Sequence, residues 1–402
     1  VNERRSSAVD RRALRSVAVQ FFANGTIYAT VIPRLPDIRE RVDISIGALG
    51  LVLTLGSVAS LLGTVLTARV IARLGSRRVM IYGAMCSIGF LPMIGFATSP
   101  VPLVIALFGL LFFDIFIDVA MNMQGSVLSA RRHTPVMNRL HGLWSLGSVS
   151  GGVITVLTLR AGISTPVHLC GVAILLAGAL LFVAPGLLRR DEAPELDEVA
   201  PQVGHAHRHR AFGLASMLLA VGGATAMTIE VTNGDWASFR LGDDLGATPG
   251  VAGLAFLAFT SGMTVGRLSG DWVQVRVGPA TLFRLAAVIA GAGSALATLV
   301  PNQAVSIAGF LVAGLGTSVL FPQLYDRAAK WPGTPGSGFA SMLIGQRGAG
   351  LLVPLIVGSL ANTEALGVGD AMAIVVIPAS LVVFLETFVS PRPRRADGVT
   401  PA

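Results

Sequence analysis

Twelve runs of about 20 predominantly apolar residues follow one another along this chain, separated by short polar stretches. A helix rises about 1.5 Å per residue, so each run crosses a hydrocarbon layer about 30 Å thick. Inside that layer only helices and closed barrels satisfy their own backbone groups. The runs lie near 14 to 36, 46 to 68, 78 to 97, 102 to 128, 139 to 159, 166 to 188, 211 to 235, 249 to 271, 278 to 299, 304 to 327, 337 to 360 and 369 to 389. The expectation is an all-α polytopic membrane protein. Composition agrees: 53% of the 402 residues are hydrophobic, only 13% are charged, and 47 are glycine. The mean hydropathy is +0.71, far from that of an ordinary soluble domain.

A net charge of +8 and a pI near 10.8 would suit a nucleic-acid partner. The arginines, however, sit in short clusters between apolar runs, where membrane proteins keep them, so nucleic acid is set aside. They alternate by side. The N-terminus (Arg4, Arg5, Arg11, Arg12, Arg15), the turns with Arg69, Arg73, Arg77 and Arg78, with Arg131, Arg132 and Arg139, with Arg276, and with Arg327 and Lys330, the central loop (Arg189, Arg190, Arg208, Arg210) and the tail (Arg392, Arg394, Arg395) share one face. The other face holds only Arg34, Arg39, Arg41, Arg160 and Arg240, several beside acids. This bias predicts cytoplasmic termini. The first run shows no small-residue cleavage site, so no removable signal peptide is expected.

The central loop, 189 to 210, is the single composition shift, acidic and then basic. It divides the chain into a bundle at 1–188, a cytoplasmic linker at 189–210 and a second bundle at 211–402. Its His205, His207 and His209 alternate with other residues as in a solvated tract; nothing supplies a fixed fourth ligand, and no metal or other cofactor is expected. Cys86 and Cys170 fall inside apolar runs without metal spacing, as small buried side chains, and no disulfide is expected.

Acids inside an apolar run need a reason, because a carboxylate at membrane depth is costly unless it faces protein, water or a partner. Asp114, Asp118 and Asn122 follow at intervals of four in the fourth run, on one helix face. The stripe either faces a solute or proton pathway, with Asp118 the foremost protonation candidate and Asp114 beside it, or ties helices together. Glu230 in the seventh run carries the same two readings. Asp235 and Trp236 lie at that run's end, where an interfacial tryptophan is the plainer reading. Arg347, beside Gln346, sits about ten residues into the eleventh run. Its guanidinium stays charged, so it needs either an acid, with Asp114, Asp118 or Glu230 available, or an anionic solute. His141 reads as an interfacial side chain, with a proton shuttle as the alternative.

The halves look like repeats. ARVIARLGSRRV at 68 to 79 and GRLSGDWVQVRVGP at 266 to 279 stand after the second and eighth runs. Both resemble the loop signature of the major facilitator superfamily, Gly-x-x-x-Asp-Arg-x-Gly. Arg73, Gly75, Arg77 and Arg78 match in the first, with Ala68 and Ala72 replacing the glycine and acid; Gly266, Asp271 and Gly278 carry the second, with Asp271 one place late. An Asp271–Arg267 gate latch or a plain topology anchor both fit.

Asp118 with Asn122, then Met137, Asn138 and the WSLG run from Trp144 to Gly147, is similar to the fucose permease branch of that superfamily. FANGTIYATVIPRL at 22 to 35, which contains Asn24, IEVTNGDW at 229 to 236, and SVLFP beginning at Ser318 agree. Where that branch carries a first-span acid this chain has Ala29, and where it tends to carry a tyrosine this chain has Arg347. The resemblance implies two pseudo-symmetric six-helix bundles and a monomer in a bacterial cytoplasmic membrane. It implies a central cavity lined by the first, fourth, seventh and tenth spans; Asn24, Asn122, Ser318, Gln346 and Arg347 are the candidates to face a solute there.

No Walker loop, His-Glu-x-x-His or Gly-x-Ser-x-Gly motif is present, so neither ATP nor enzymatic chemistry is expected. The expectation is a secondary transporter of a small, sugar-like solute, driven by protons. A proton-coupled exporter of amphipathic compounds and a non-transporting membrane sensor are the alternatives.

Overall fold

The computed structural model describes residues 2–132, 136–192, 214–329 and 337–388. His205, His207, His209, Arg208, Arg210, Lys330, Arg392, Arg394 and Arg395 lie outside the described residues, as does most of the 189–210 stretch. Among the described residues there are twelve long helices and no strand. They are α1 (Asn2–Val31), α2 (Ile46–Leu74), α3 (Ser76–Phe96), α4 (Pro100–Arg131), α5 (Met137–Arg160), α6 (Thr165–Val183), α7 (Leu214–Asp235), α8 (Pro249–Val277), α9 (Pro279–Leu299), α10, α11 (Ser337–Ala361) and α12 (Val368–Glu386). α10 comes in two pieces, Gln303–Thr317 and Leu320–Ala329. The helices follow the expected runs, except that α1 is already helical at Asn2, ahead of its apolar run.

Ten of these helices are long and apolar enough to cross a membrane. The two that fall short, α1 and α7, open the two halves. Their apolarity is diluted by groups facing inward: Gln20, Asn24, Thr26 and Thr30 on α1, and Thr232 and Asn233 on α7, are all buried. Large apolar side chains on the peripheral helices instead point outward, including Ile174, Leu175 and Phe182 on α6 and Ile374 and Leu381 on α12. Such an outward apolar surface belongs in lipid.

Each half is a six-helix bundle built by the same pairings. α1 packs on α5 as α7 packs on α11, α2 on α4 as α8 on α10, and α3 on α6 as α9 on α12. The repeat extends to backbone torsions. Gly75, joining α2 to α3, and Gly278, joining α8 to α9, both have φ of +79°, a left-handed conformation in which a side chain is strained.

A second repeated device lies at the end opposite the arginine clusters, here the far end. Arg34, just after α1, is 2% exposed. It donates to Asp37 (3.2 Å), Thr158 (3.1 Å), the Ile163 carbonyl (2.9 Å) and His168 Nδ1 (3.3 Å). Arg240, just after α7, is also buried and donates to Asp244 (2.8 Å) and the Ala297 and Val300 carbonyls (3.4 and 3.2 Å). Asp244 in turn accepts from the Val368 and Gly369 amides at the start of α12 (2.9 and 2.6 Å), where a carboxylate meets unsatisfied N–H groups. These far-side arginines serve as buried fasteners for loop ends.

The halves meet along two seams, α2 against α11 and α5 against α8. Along the first, a Cβ on Gly50 would stand 2.5 Å from the Pro354 carbonyl, and one on Gly358 would stand 2.9 Å from the Gly50 Cα. Only glycine permits that approach. Pro354 lies inside α11 and cannot donate to the Gly350 carbonyl one turn earlier. Ser57 of α2 fills that vacancy at 3.0 Å, and Thr54 donates to the Leu351 carbonyl at 3.1 Å. Arg39 closes the far end by pairing with Asp243 at 2.5 Å across the halves. The seams finish in mid-molecule at Arg347 with Ser60 and at Arg267 with Ser145, each at 3.4 Å.

Candidate functional site

A cavity of about 290 Å³ lies between the halves, lined from α1, α4, α5, α7 and α8. A second, of about 190 Å³, adjoins it and takes in α2 and α11. The two share Tyr28, Leu110, Leu111, Met227, Val231 and Asp235 as walls. The expected contribution of the tenth span is corrected: α10 lines neither. Its break at Ser318 turns that hydroxyl back onto the Leu315 carbonyl at 2.6 Å, and the buried side chain packs against Gly266. α5 and α8 provide that wall instead.

Asn24 on α1 and Asp114 on α4 both line the larger cavity. Asn24 Nδ2 donates to Asp114 Oδ1 at 2.6 Å, and Trp144 Nε1 on α5 donates to Asn24 Oδ1 at 2.8 Å. The indole is a donor only, which fixes the orientation of the amide. The Arg267 guanidinium, from α8 of the other half, stands 5.7 Å from the Trp144 ring centroid. Glu230 lines the same cavity from α7, within electrostatic reach of Arg267 and without a hydrogen bond or ion pair to any described residue.

The stripe on α4 divides. Asp118 lies one turn beyond Asp114 and lines neither cavity; Asn122 donates to its carbonyl (2.8 Å) and carboxylate (3.1 Å). Asn122 is thus engaged by its own helix. Gln346 and Arg347 line the smaller cavity, with Gln346 Oε1 buried and unpartnered.

The internal ion pair considered for Arg347 is not formed with any described residue. Its Nη1 reaches Ser60 instead, because α11 presents it to α2 across the seam while Asp114 faces α1. Nor do Arg267 and Asp271 pair: Arg267 turns to Trp144 and Ser145, and Asp271 is exposed. Around the other loop, Arg73 and Arg78 are exposed and Arg77 Nε is buried without a partner. His141 sets its ring edge-on to Phe21, with centroids 5.3 Å apart.

One residue escaped the sequence reading. Tyr28 on α1 donates a hydrogen bond to the Asp235 carboxylate on α7, joining the halves where the two cavities meet. The available signal was position, since Tyr28 adjoins Ala29, the site of the absent first-span acid. Trp236 also corrects an expectation: it is fully buried, against Phe239 and near Gly358, rather than interfacial. Among the described residues no group of three or more His, Cys, Asp or Glu is arranged to hold a metal.

Comparisons with known proteins agree with this architecture. The profile of the Major Facilitator Superfamily matches residues 17–233. The membrane protein MosC of Rhizobium meliloti is 30% identical over 93% of this chain and 89% of its own length. An uncharacterised transporter of Sinorhizobium fredii is 29% identical over 87% and 91%. Among solved structures, a form of the nucleoside transporter NupG shares the fold with a TM-score of 0.73 at 12% identity, covering 94% of this chain and 99% of that one. The human organic anion transporter TETRAN does so with a TM-score of 0.63 at 16% identity, covering 94% and 99%. Twelve helices in two matching bundles among the described residues, a cavity with acids on its wall at their interface and a profile spanning more than half the sequence give one conclusion: this chain is a multi-pass membrane transporter of the Major Facilitator Superfamily.

Proposed function

We propose that this chain is a proton-coupled secondary transporter of a small polar solute, working by alternating access in a bacterial cytoplasmic membrane. Its arginine-rich end lies in the cytoplasm, its far end is the outer face, and it acts as a monomer with 189–210 as the cytoplasmic linker between bundles. The observation that carries this reading is the set of acids on the cavity wall, Asp114, Glu230 and Asp235, facing a space closed at one end by inter-half contacts. Carboxylates in such a place can exchange protons with the pathway. Asp114, backed by Asn24, takes the leading proton role, with Asp118 one turn behind it. Asn24, Gln346 and Arg347 offer donors to solute oxygens, and the resemblance to the fucose permease branch points to a sugar-like molecule. Arg73, Gly75, Arg77 and Arg78 in the first half and Asp271 in the second mark the paired cytoplasmic gating loops.

A second reading, export of amphipathic compounds, draws support from the aromatic and thioether share of the larger cavity's wall: Trp144, Phe256, Phe259, Met227 and Met263. Proteoliposomes with a trapped pH dye test both. Sugars, polyols, sugar acids and amphipathic cations are added in turn, and a solute-dependent proton movement that Asp114→Asn abolishes is the expected result. Solute accumulation without any proton movement contradicts the coupling.

A further inference from the structure

Between Thr232 and Ser238, where α7 ends, four buried polar atoms have no hydrogen-bond partner: Thr232 Oγ1, Asn233 Oδ1, Trp236 Nε1 and Ser238 Oγ. Buried polar groups are nearly always paired, so a cluster of orphans needs a cause. The helix also breaks there, at Trp236, before the short turn Ala237–Phe239. The segment is nevertheless held from the first half at two points. Tyr28 donates to Asp235. Beyond it, Arg39 pairs with Asp243 and lies over the Phe239 ring, 5.4 Å from its centroid.

We propose that Asp235 is the proton-binding residue that latches the outer face: ionised, it holds α1 to α7 through the Tyr28 hydroxyl, and protonated, it releases the end of α7. The inference rests on the proton-coupled reading above and gives that coupling a second acid, separate from Asp114. A hydrogen bond to a carboxylate is about twice as strong as one to a neutral acceptor, so a proton on Asp235 weakens the latch while the tyrosine keeps its own proton. Once free, the end of α7 moves to where its orphaned groups find partners. The charged groups around the latch are Glu230 on α7, Asp114 on α4, Arg347 on α11 and Arg267 on α8; α2 and α5 bring only hydroxyls and the Trp144 indole to these cavities.

The latch also has a direction. An empty, ionised carrier stays shut on the outer side and reorients only when a proton or a solute relieves Asp235. A carrier obeying that rule moves its proton and its solute in opposite directions, which favours export.

The test needs no solute. Spin labels on Glu40→Cys and Glu364→Cys, in a Cys86→Ser, Cys170→Ser background, report the outer-face distance in proteoliposomes by pulsed electron resonance. In the parent protein the short distance dominates at alkaline pH and a longer one grows on acidification. Asp235→Asn favours the long distance at every pH, with a long-to-short ratio about tenfold above the parent's at alkaline pH. Tyr28→Phe, which removes one oxygen and tests the latch even if the asparagine variant misfolds, shifts it the same way. Asp235→Glu keeps the pH response. A distance that ignores pH in the parent, or a full pH response in both Asp235→Asn and Tyr28→Phe, overturns the proposal. Silent proton flux beside a responsive distance removes the coupled-transport reading and leaves the latch standing; normal flux beside an unresponsive distance removes the latch alone.

Discussion

Asn24 uses both ends of one amide, donating to Asp114 at 2.6 Å and accepting from Trp144 at 2.8 Å, so that α1, α4 and α5 meet at a single side chain. Replacing Asn24 with leucine removes both bonds and keeps the volume. Leaving a buried polar group without its partner costs about 1–3 kcal/mol. Thermal unfolding in detergent falls by that amount, and solute-dependent flux drops about tenfold, while Trp144→Phe gives a smaller loss of the same kind.

Three arginines that look alike in the sequence separate by burial. Removing one partner of a buried charged network costs about 3–5 kcal/mol, so Arg34→Ala and Arg240→Ala unfold early in a thermal scan. Arg347 is exposed to its cavity and makes one contact at 3.4 Å with Ser60. Arg347→Gln changes stability by about 0.5 kcal/mol or less, and its effect appears in transport. A large stability loss there would show that the guanidinium has a buried partner.

Gly50 and Gly358 set how closely α2 and α11 approach. Gly358→Val places a branched side chain where even a Cβ stands 2.9 Å from the neighbouring backbone. The variant folds with intact bundles but cannot close the seam between α2 and α11. Labels at Glu40→Cys and Glu364→Cys then report the long distance regardless of pH, and transport stops.

At the arginine-rich end, Glu192 is pushed up by its partial burial, but the Arg189 backbone N–H and the hydrogen bonds and charge of Arg12 outweigh this and hold it below the usual carboxylate range. A depressed folded-state value means that the contact stabilises above the ordinary Glu range near pH 4.5 and is lost as pH falls through the lower folded value. Limited proteolysis around Arg12 accelerates in that acidic window, and Glu192→Gln shows the same acceleration at neutral pH.

Helix number and the paired loop turns were legible because each rests on local pattern: a run of apolar residues, a glycine at a fixed place. The cavity was less so. Asp114 and Asp118 share one face, yet only Asp114 lines the space, a difference set by where Asn24 stands on another helix. Ser318 matched a motif and turned out to satisfy its own helix. Tyr28 and Asp235 lie 207 positions apart, and no spacing rule joins residues from two bundles. Trp236 sat at the end of an apolar run, where tryptophans often meet the membrane surface, but the chain folds back over it.

The Ser57 hydroxyl rests on a carbonyl that Pro354 had already left vacant. Parting the two halves there removes no bond from within α11; it only bares one acceptor to incoming water, which can occupy it at once. The joint is therefore reversible by construction, and repeated cycling erodes nothing in the helix that carries it.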